Sequence, residues 1–441
     1  MTNGNVKLQG FSATGKQYVT IQGFEITHSG LTQDPYPGGS TSASIYLSTT
    51  DHFKIIGNNI HDTDGTCVLF YGGSPSTASN DVIVKDNVIS HCGQLGPSAA
   101  GGVYVFGDNN LVDNNDISRN GEDFTRQTGG NFNVIRNNYF HDNLNSDYPG
   151  SLAHIDGVQN WCTATVPLST HYILIEGNYM KNAPDFNSHF SLFQDYGPCG
   201  ESDAIIRGNV AKNIGSGFGV SDRGFKNGRV YNNSLVDMGI AQNPKPWDIV
   251  NFGNGSTGGK VINNIFYNTV RNYGNPYTVD ASSTLGFYAN NNLGYNTECG
   301  STCVWHNPPG GIEIELNAVI NKDPLFTNVD NDFTLQSASP AIDKGGLLTK
   351  VATNDSGSGT SLIVNDAGFF QGGWAGISPD WIAVGTASNI SQISSIDYSN
   401  NTITLSSALS RKAGDPVFLY KDSSGRQVLR GSSPDIGAKE F

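Results

Sequence analysis

The chain has 441 residues with 54 Gly, 37% hydrophobic and 15% charged residues, a mixture too poor in Ala, Glu, Lys and Leu for a helical bundle or coiled coil. Its 10% aromatics fall in regular apolar clusters, which argues against disorder, and no apolar run approaches the ~20 residues that cross a bilayer, so no membrane partner is expected. A formal charge of −14 offers a phosphate backbone no attraction, so no nucleic-acid partner is expected, and an anionic glycan would need a local cluster of Arg, Lys or metal.

Met1 runs directly into a strand-like segment without a leader. The expected localisation is nonetheless secreted, with the signal peptide absent from this sequence. From Phe53 onward one phrase recurs: an apolar-alternating strand, an Asn, and a second short apolar strand. It occupies Phe53–Ile60, Val82–Ile89, Asn110–Ile117, Phe132–Phe140, Tyr172–Met180, Ala204–Ala211, Gly228–Leu235, Lys260–Phe266 and Phe287–Leu293. Aligned, the Asn falls at 58, 87, 115, 138, 178, 209, 233, 264 and 291.

Spacings of roughly 24–30 residues suit one coil of three short strands and three turns, whose apolar faces are buried only by stacking. The two-residue alternation directs Ile, Val and Phe inward. Asn suits the turns because it tolerates left-handed backbone, and stacked Asn side chains form an amide ladder. The long interval from Asn138 to Asn178 marks extra loop at 143–151 and 160–171, where function concentrates on rigid scaffolds.

The cysteines fall in three local pairs, Cys67 with Cys92, Cys162 with Cys199 and Cys299 with Cys303, and none has zinc-site spacing. The even count favours three disulfides and an oxidising compartment, although sequence alone leaves the connectivity open.

After the repeats come Asp323-Pro-Leu-Phe326, Ser339-Pro-Ala-Ile-Asp343 and, much later, Ser433-Pro-Asp-Ile-Gly-Ala438. Between them, Thr360–Val364, Trp381–Val384 and Thr402–Leu405 read as strands of a small β-domain. That insert is expected to cap the open edge of the stack.

The ladder resembles that of right-handed parallel β-helix proteins, which include pectate, alginate and chondroitin lyases, polygalacturonases and phage tailspikes. The tail resembles the closing coil of secreted bacterial members. The resemblance implies an all-β fold: a parallel β-helix over 1–345, an inserted β-domain over 346–431, and a closing segment over 432–441. It also implies an extended glycan bound along one strand face.

Three candidate rungs of that face, 154–159, 189–195 and 217–226, collect the polar residues. Aligned on the ladder, His154 is expected beside His189, and Gln159, Gln194 and Asp222 in one column. His154-Ile-Asp-Gly-Val-Gln159 is similar to the polygalacturonase strand that carries two catalytic Asp residues. Asp156 matches the first, and Gln159 stands where the second would be.

A hydrolase needs two carboxyl groups, and Asp156, Asp195 and Asp222 are the available set. A lyase needs a base beside a cation that neutralises the uronate. Overlaid on the lyase pattern, Gln194 falls where a Lys is expected and Arg223 falls one place late, which leaves Lys226 or His189 as the base. The three Asp residues also offer hard oxygen ligands suited to Ca²⁺. Trp161, Tyr196 and Trp247, at the rims of these rungs, can stack on sugar rings, and a Cys162–Cys199 bridge would join the loops of the two His-bearing coils.

The reading that follows is a secreted polysaccharide-cleaving enzyme, hydrolase or lyase. The alternative is a glycan-binding adhesin or tailspike-like protein without catalysis.

Overall fold

Short apolar phrases interrupted by left-handed residues cannot grow into long strands, so each coil breaks into three short ones. The computed structural model describes residues 7–27, 43–71, 74–94, 100–144, 146–147, 155–160, 170–184, 188–193, 200–215, 217, 224–239, 249–269, 277–279, 281–298 and 315–441. The coil strands stack in parallel into three sheets. Among the described residues sheet 1 has seven strands, from Phe11–Thr14 to Ser188–Phe193. Sheet 2 runs from Thr20–Gln22 to Glu315–Leu316, and sheet 3 from Lys7–Leu8 to Val319–Ile320. The fold is a right-handed parallel β-helix, the hand that parallel crossover connections take. No helix among the described residues is long and apolar enough to cross a membrane.

Register makes the core continuous. In sheet 3, Ile26, Ile60, Ile89, Ile117, Phe140, Met180, Ala211, Leu235 and Phe266 form one inward column, all of them buried. Each large side chain buried in this way contributes about 1.5–3 kcal/mol. The Cys67–Cys92 disulfide ties a sheet 1 strand to a sheet 3 strand inside this core. The other two cysteine pairs lie outside the described residues.

The Asn ladder runs as expected from Asn58 to Asn264. Each backbone N–H and side-chain amide donates to the Oδ1 one coil on, at 2.9–3.1 Å. The remaining amide hydrogen reaches back to a carbonyl of the previous coil, as Asn178 does to Ile135 at 2.9 Å. At its end the expectation fails: the ladder residue is Asn292, not Asn291, and the Glu315 carboxylate accepts the last bonds at 3.0 and 3.1 Å. The reason is a division of labour. The residue before each ladder Asn takes the left-handed turn, as Asp86, Asn114, Asn137, Asn232, Asn263 and Asn291 do, while the Asn after it is buried.

Replacing Asn178 with Ala removes the acceptor for two buried donors of Asn138. The expected cost is about 1–3 kcal/mol for each orphaned donor, read as a lowered urea midpoint. Asn178→Asp keeps that acceptor but turns a carboxylate oxygen toward the Ile135 carbonyl and the Asn209 Oδ1, so it should not rescue the loss.

The insert forms a six-stranded antiparallel sheet from Thr349–Lys350 to Pro416–Lys421. It does not sit over the end of the stack. It lies along the flank of sheet 2, packed on the outward column Leu111, Val134, Leu174 and Ile205. Those four side chains would otherwise expose an apolar stripe, which decides where the insert docks. The closing segment returns to the coils: the Gly437 amide donates to the Asn263 carbonyl at 2.8 Å, and Ile436 packs with Val236, Ile265 and Leu293. Gly437 has φ +109°, and a Cβ there would lie 2.6 Å from Ile265 Cδ1, so only glycine fits.

Candidate functional site

Strand Ile155–Asn160 is irregular in a useful way. A Cβ on Gly157 would meet Met180 Sδ and Phe140, and Val158 lies in the core, so two successive residues face inward. Asp156 and Gln159, three apart, therefore share the outer side. The preceding rung repeats the pattern: Phe124 enters the core, and Asp123 and Arg126 meet outside it. Two outer columns result. One carries Asp123, Asp156 and His189, and the other Tyr104, Arg126, Gln159 and Leu192.

In the first column the Asp123 carboxylate accepts the Asp156 amide at 3.0 Å. Asp156 is fully buried, and its Oδ1 accepts both the His189 amide at 3.1 Å and the His189 Nδ1 at 2.8 Å. The His189 side chain is 24% exposed. With Nδ1 donating to a buried carboxylate, the lone pair of a neutral imidazole is left on Nε2.

Beside it stands a second cluster. Arg126 bridges Glu122 at 2.6 Å and Asp123 at 2.7 Å and lies 4.5 Å from the centre of the Tyr104 ring. Tyr104 donates its hydroxyl to Glu122 at 2.7 Å. Burial and, next, the Asp123 charge push the Glu122 carboxyl up to about 7, against the opposing charge of Arg126. A raised carboxyl pKa means that the folded state holds this proton more tightly than the unfolded chain. The stabilisation is complete below the unfolded value of 4.5 and is lost as pH rises through about 7. Relative to the wild type, Glu122→Gln should therefore gain stability as pH rises from 5 to 8, read as the difference between the two melting curves.

Several sequence expectations change here. Asp156 and His189 do come together, but the register is offset by two residues: His189 lies opposite Asp156, not His154, and Leu192 lies opposite Gln159, not Gln194. The intervening loops differ in length, so counting from the ladder misplaces the rung, whereas Gly157 fixes it by making room for Phe190. Gln159 is buried, in register with Arg126. Lys226 is exposed at the turn into sheet 2, in register with Ser202 and Thr257, outside the two columns. His154, Trp161, Gln194, Asp195, Tyr196, Asp222, Arg223 and Trp247 lie outside the described residues. Of the three carboxylates expected to suit calcium, Asp156 is described, and its Oδ1 is occupied by His189. Among the described residues, the side chains that converge as a metal-ligand trio are Asp51, His52 and Asp81, on turns between sheets 1 and 2 rather than in these columns.

The rung Thr125–Gln127, with Glu122 and Asp123 leading into it, was not among the expected strands of this face. Its signal was present in Gly121-Glu-Asp-Phe-Thr-Arg-Gln127, where three charges cluster around an aromatic in an otherwise charge-poor chain.

Residues 9–165 match the family model described as a right handed beta helix region. No curated protein matches the chain. Among solved structures, it is similar to PfbA, a surface adhesin of Streptococcus pneumoniae, at 11% identity and TM-score 0.35, over 77% of this chain and 76% of that one. It is also similar to the PL6 family polysaccharide lyase Pedsa3628 from Pseudopedobacter saltans, at 10% identity and TM-score 0.30, over 78% and 99% of the two chains. The tailspike of E. coli bacteriophage HK620, solved with a pentasaccharide, matches at 10% identity and TM-score 0.33, over 94% and 74%.

Proposed function

We propose that the protein binds an acidic polysaccharide along the outer face of sheet 1 and cleaves it by β-elimination, with His189 as the base. The observation that carries this reading is the buried Asp156 carboxylate bonded to Nδ1 of a partly exposed His189. That arrangement fixes the ring and makes Nε2 the basic nitrogen of a neutral imidazole. In the reaction the proton beside the uronate carboxyl passes to Nε2, and the carbon–oxygen bond to the leaving sugar breaks. A carbon–carbon double bond forms, and the departing oxygen is protonated by the imidazolium or by solvent. Arg223 is the cation assigned to the substrate's carboxylates, and Trp161, Tyr196 and Trp247 are assigned as the surfaces for its rings.

Hydrolysis needs two carboxyl groups facing the sugar, and among the described residues the carboxylates of the column that carries His189 do not offer such a pair. Asp123 and Asp156 are fully buried, one holding Arg126 and a backbone amide, the other holding His189. Incubation with a panel of uronate polymers, with and without calcium, tests the proposal. Products with a new ultraviolet-absorbing double bond and no added water support it. Products that carry an added water would make the protein a hydrolase, and saturable binding without product would make it a glycan-binding protein.

A further inference from the structure

On the outer face of sheet 2 one column changes character along its length. Leu111, Val134, Leu174 and Ile205 are covered by the insert, and the same column continues as Arg229, Lys260 and Tyr288. Here the insert stands off, and a cavity of about 770 Å³ opens between the two. The turn column beside it also changes, from Phe132 and Tyr172 through Asp203 and Asn227 to Gly258 and Gly286. The insert supplies the opposite wall with Asp366, Tyr398 and Asn401.

The lining has the chemistry of a sugar site, with aromatic rings at intervals among amide, carboxylate and cationic groups. Its charges are unequally matched. Arg229 is held by Asp366 at 2.7 Å and Asp203 at 3.4 Å. Lys260 donates to the Gly286 carbonyl, and among the described residues no carboxylate lies within ion-pair distance of it. Burial, helped by Arg229 and opposed by Asp366, lowers the Lys260 pKa, so an arriving anion would relieve a strain that the protein alone leaves standing.

We propose that this cleft is a second saccharide site that takes a sugar unit bearing a carboxylate, with the ring against Tyr288 and the carboxylate on Lys260, one rung away. The proposal rests on the cleft and not on the reading of sheet 1, so the test uses a His189→Ala background in which cleavage at that face is removed. Calorimetric titration with digalacturonate, and with its neutral methyl ester, should give binding of the acid and roughly tenfold or weaker binding of the ester. Lys260→Met should weaken digalacturonate by a similar factor, with an unchanged melting temperature, and Tyr288→Ala should weaken both ligands. Equal affinity for acid and ester, wild-type affinity in Lys260→Met, or no binding of either sugar would overturn the assignment. Loss of cleavage in His189→Ala with cleft binding retained separates the two proposals.

Discussion

Replacing His189 with Ala should abolish polysaccharide cleavage while the coils stay folded. A positioned general base is worth about 10²–10⁴-fold in rate, and the His189 side chain is partly exposed rather than part of the apolar core. Asp156→Asn is the sharper probe. The asparagine has nearly the same shape but no charge to hold the Nδ1–H tautomer, and with its amide nitrogen turned toward His189 it presents a donor to Nδ1 and drives the ring proton to Nε2, where a base cannot use it. A loss of comparable size is therefore expected with little change in melting temperature. Because the two side chains act as one unit, Asp156→Asn combined with His189→Ala should be no worse than His189→Ala alone. Product formation by either single variant at the wild-type rate would place the chemistry elsewhere. Fully additive losses would separate Asp156 from His189 functionally.

The coil period, the core phases and most of the amide ladder were legible in the sequence because they repeat, and a repeated error would leave an apolar face exposed at every coil. What was missed is what does not repeat. The offset of His189 against Asp156 depends on Gly157, one residue whose missing side chain lets the next coil settle. The rung Thr125–Gln127 is Thr-Arg-Gln, with no apolar residue to mark it as a strand, where the preceding rung has Val103-Tyr-Val105. Docking of the insert was written more plainly than it was read. Val134-Ile135, Leu174-Ile175 and Ile205-Ile206 are apolar on both faces of their strands, the pattern of a sheet covered on both sides. The cleft begins where that double pattern stops, at Arg229.

Docking is also held by charge, and Arg207→Met should show how strongly. Arg207 is almost completely buried on sheet 2. It donates to Glu176 at 2.6 Å on the neighbouring coil, and to both carboxylate oxygens of Asp380 on the insert at 2.6 and 2.7 Å. Ser423 donates to Glu176, and Arg136 to Ser423 at 2.8 Å, so the chain leaving the insert is tied to the same network. Removing the guanidinium alone leaves two buried carboxylates uncompensated, at a cost of about 3–5 kcal/mol. The cost should depend on pH with a definite sign. Burial raises the Glu176 pKa, but the charge and hydrogen bonds of Arg207 outweigh it and hold the carboxyl below its usual range. That stabilisation is present above the unfolded value of 4.5 and fades as pH falls through the lower folded one. The urea midpoint of Arg207→Met should therefore lie far below wild type at pH 7 and approach it in acid, where the orphaned carboxyls are neutral. Adding Glu176→Gln and Asp380→Asn should recover much of the loss at pH 7, because the main penalty is unpaired charge rather than a missing contact. A deficit that is the same at both pH values and unchanged by the two neutral substitutions would mean that Arg207 acts by packing. Since Asp380 lies 173 positions from Arg207 in the chain, a charge-driven loss should loosen the insert first and weaken digalacturonate in the neighbouring cleft along with it.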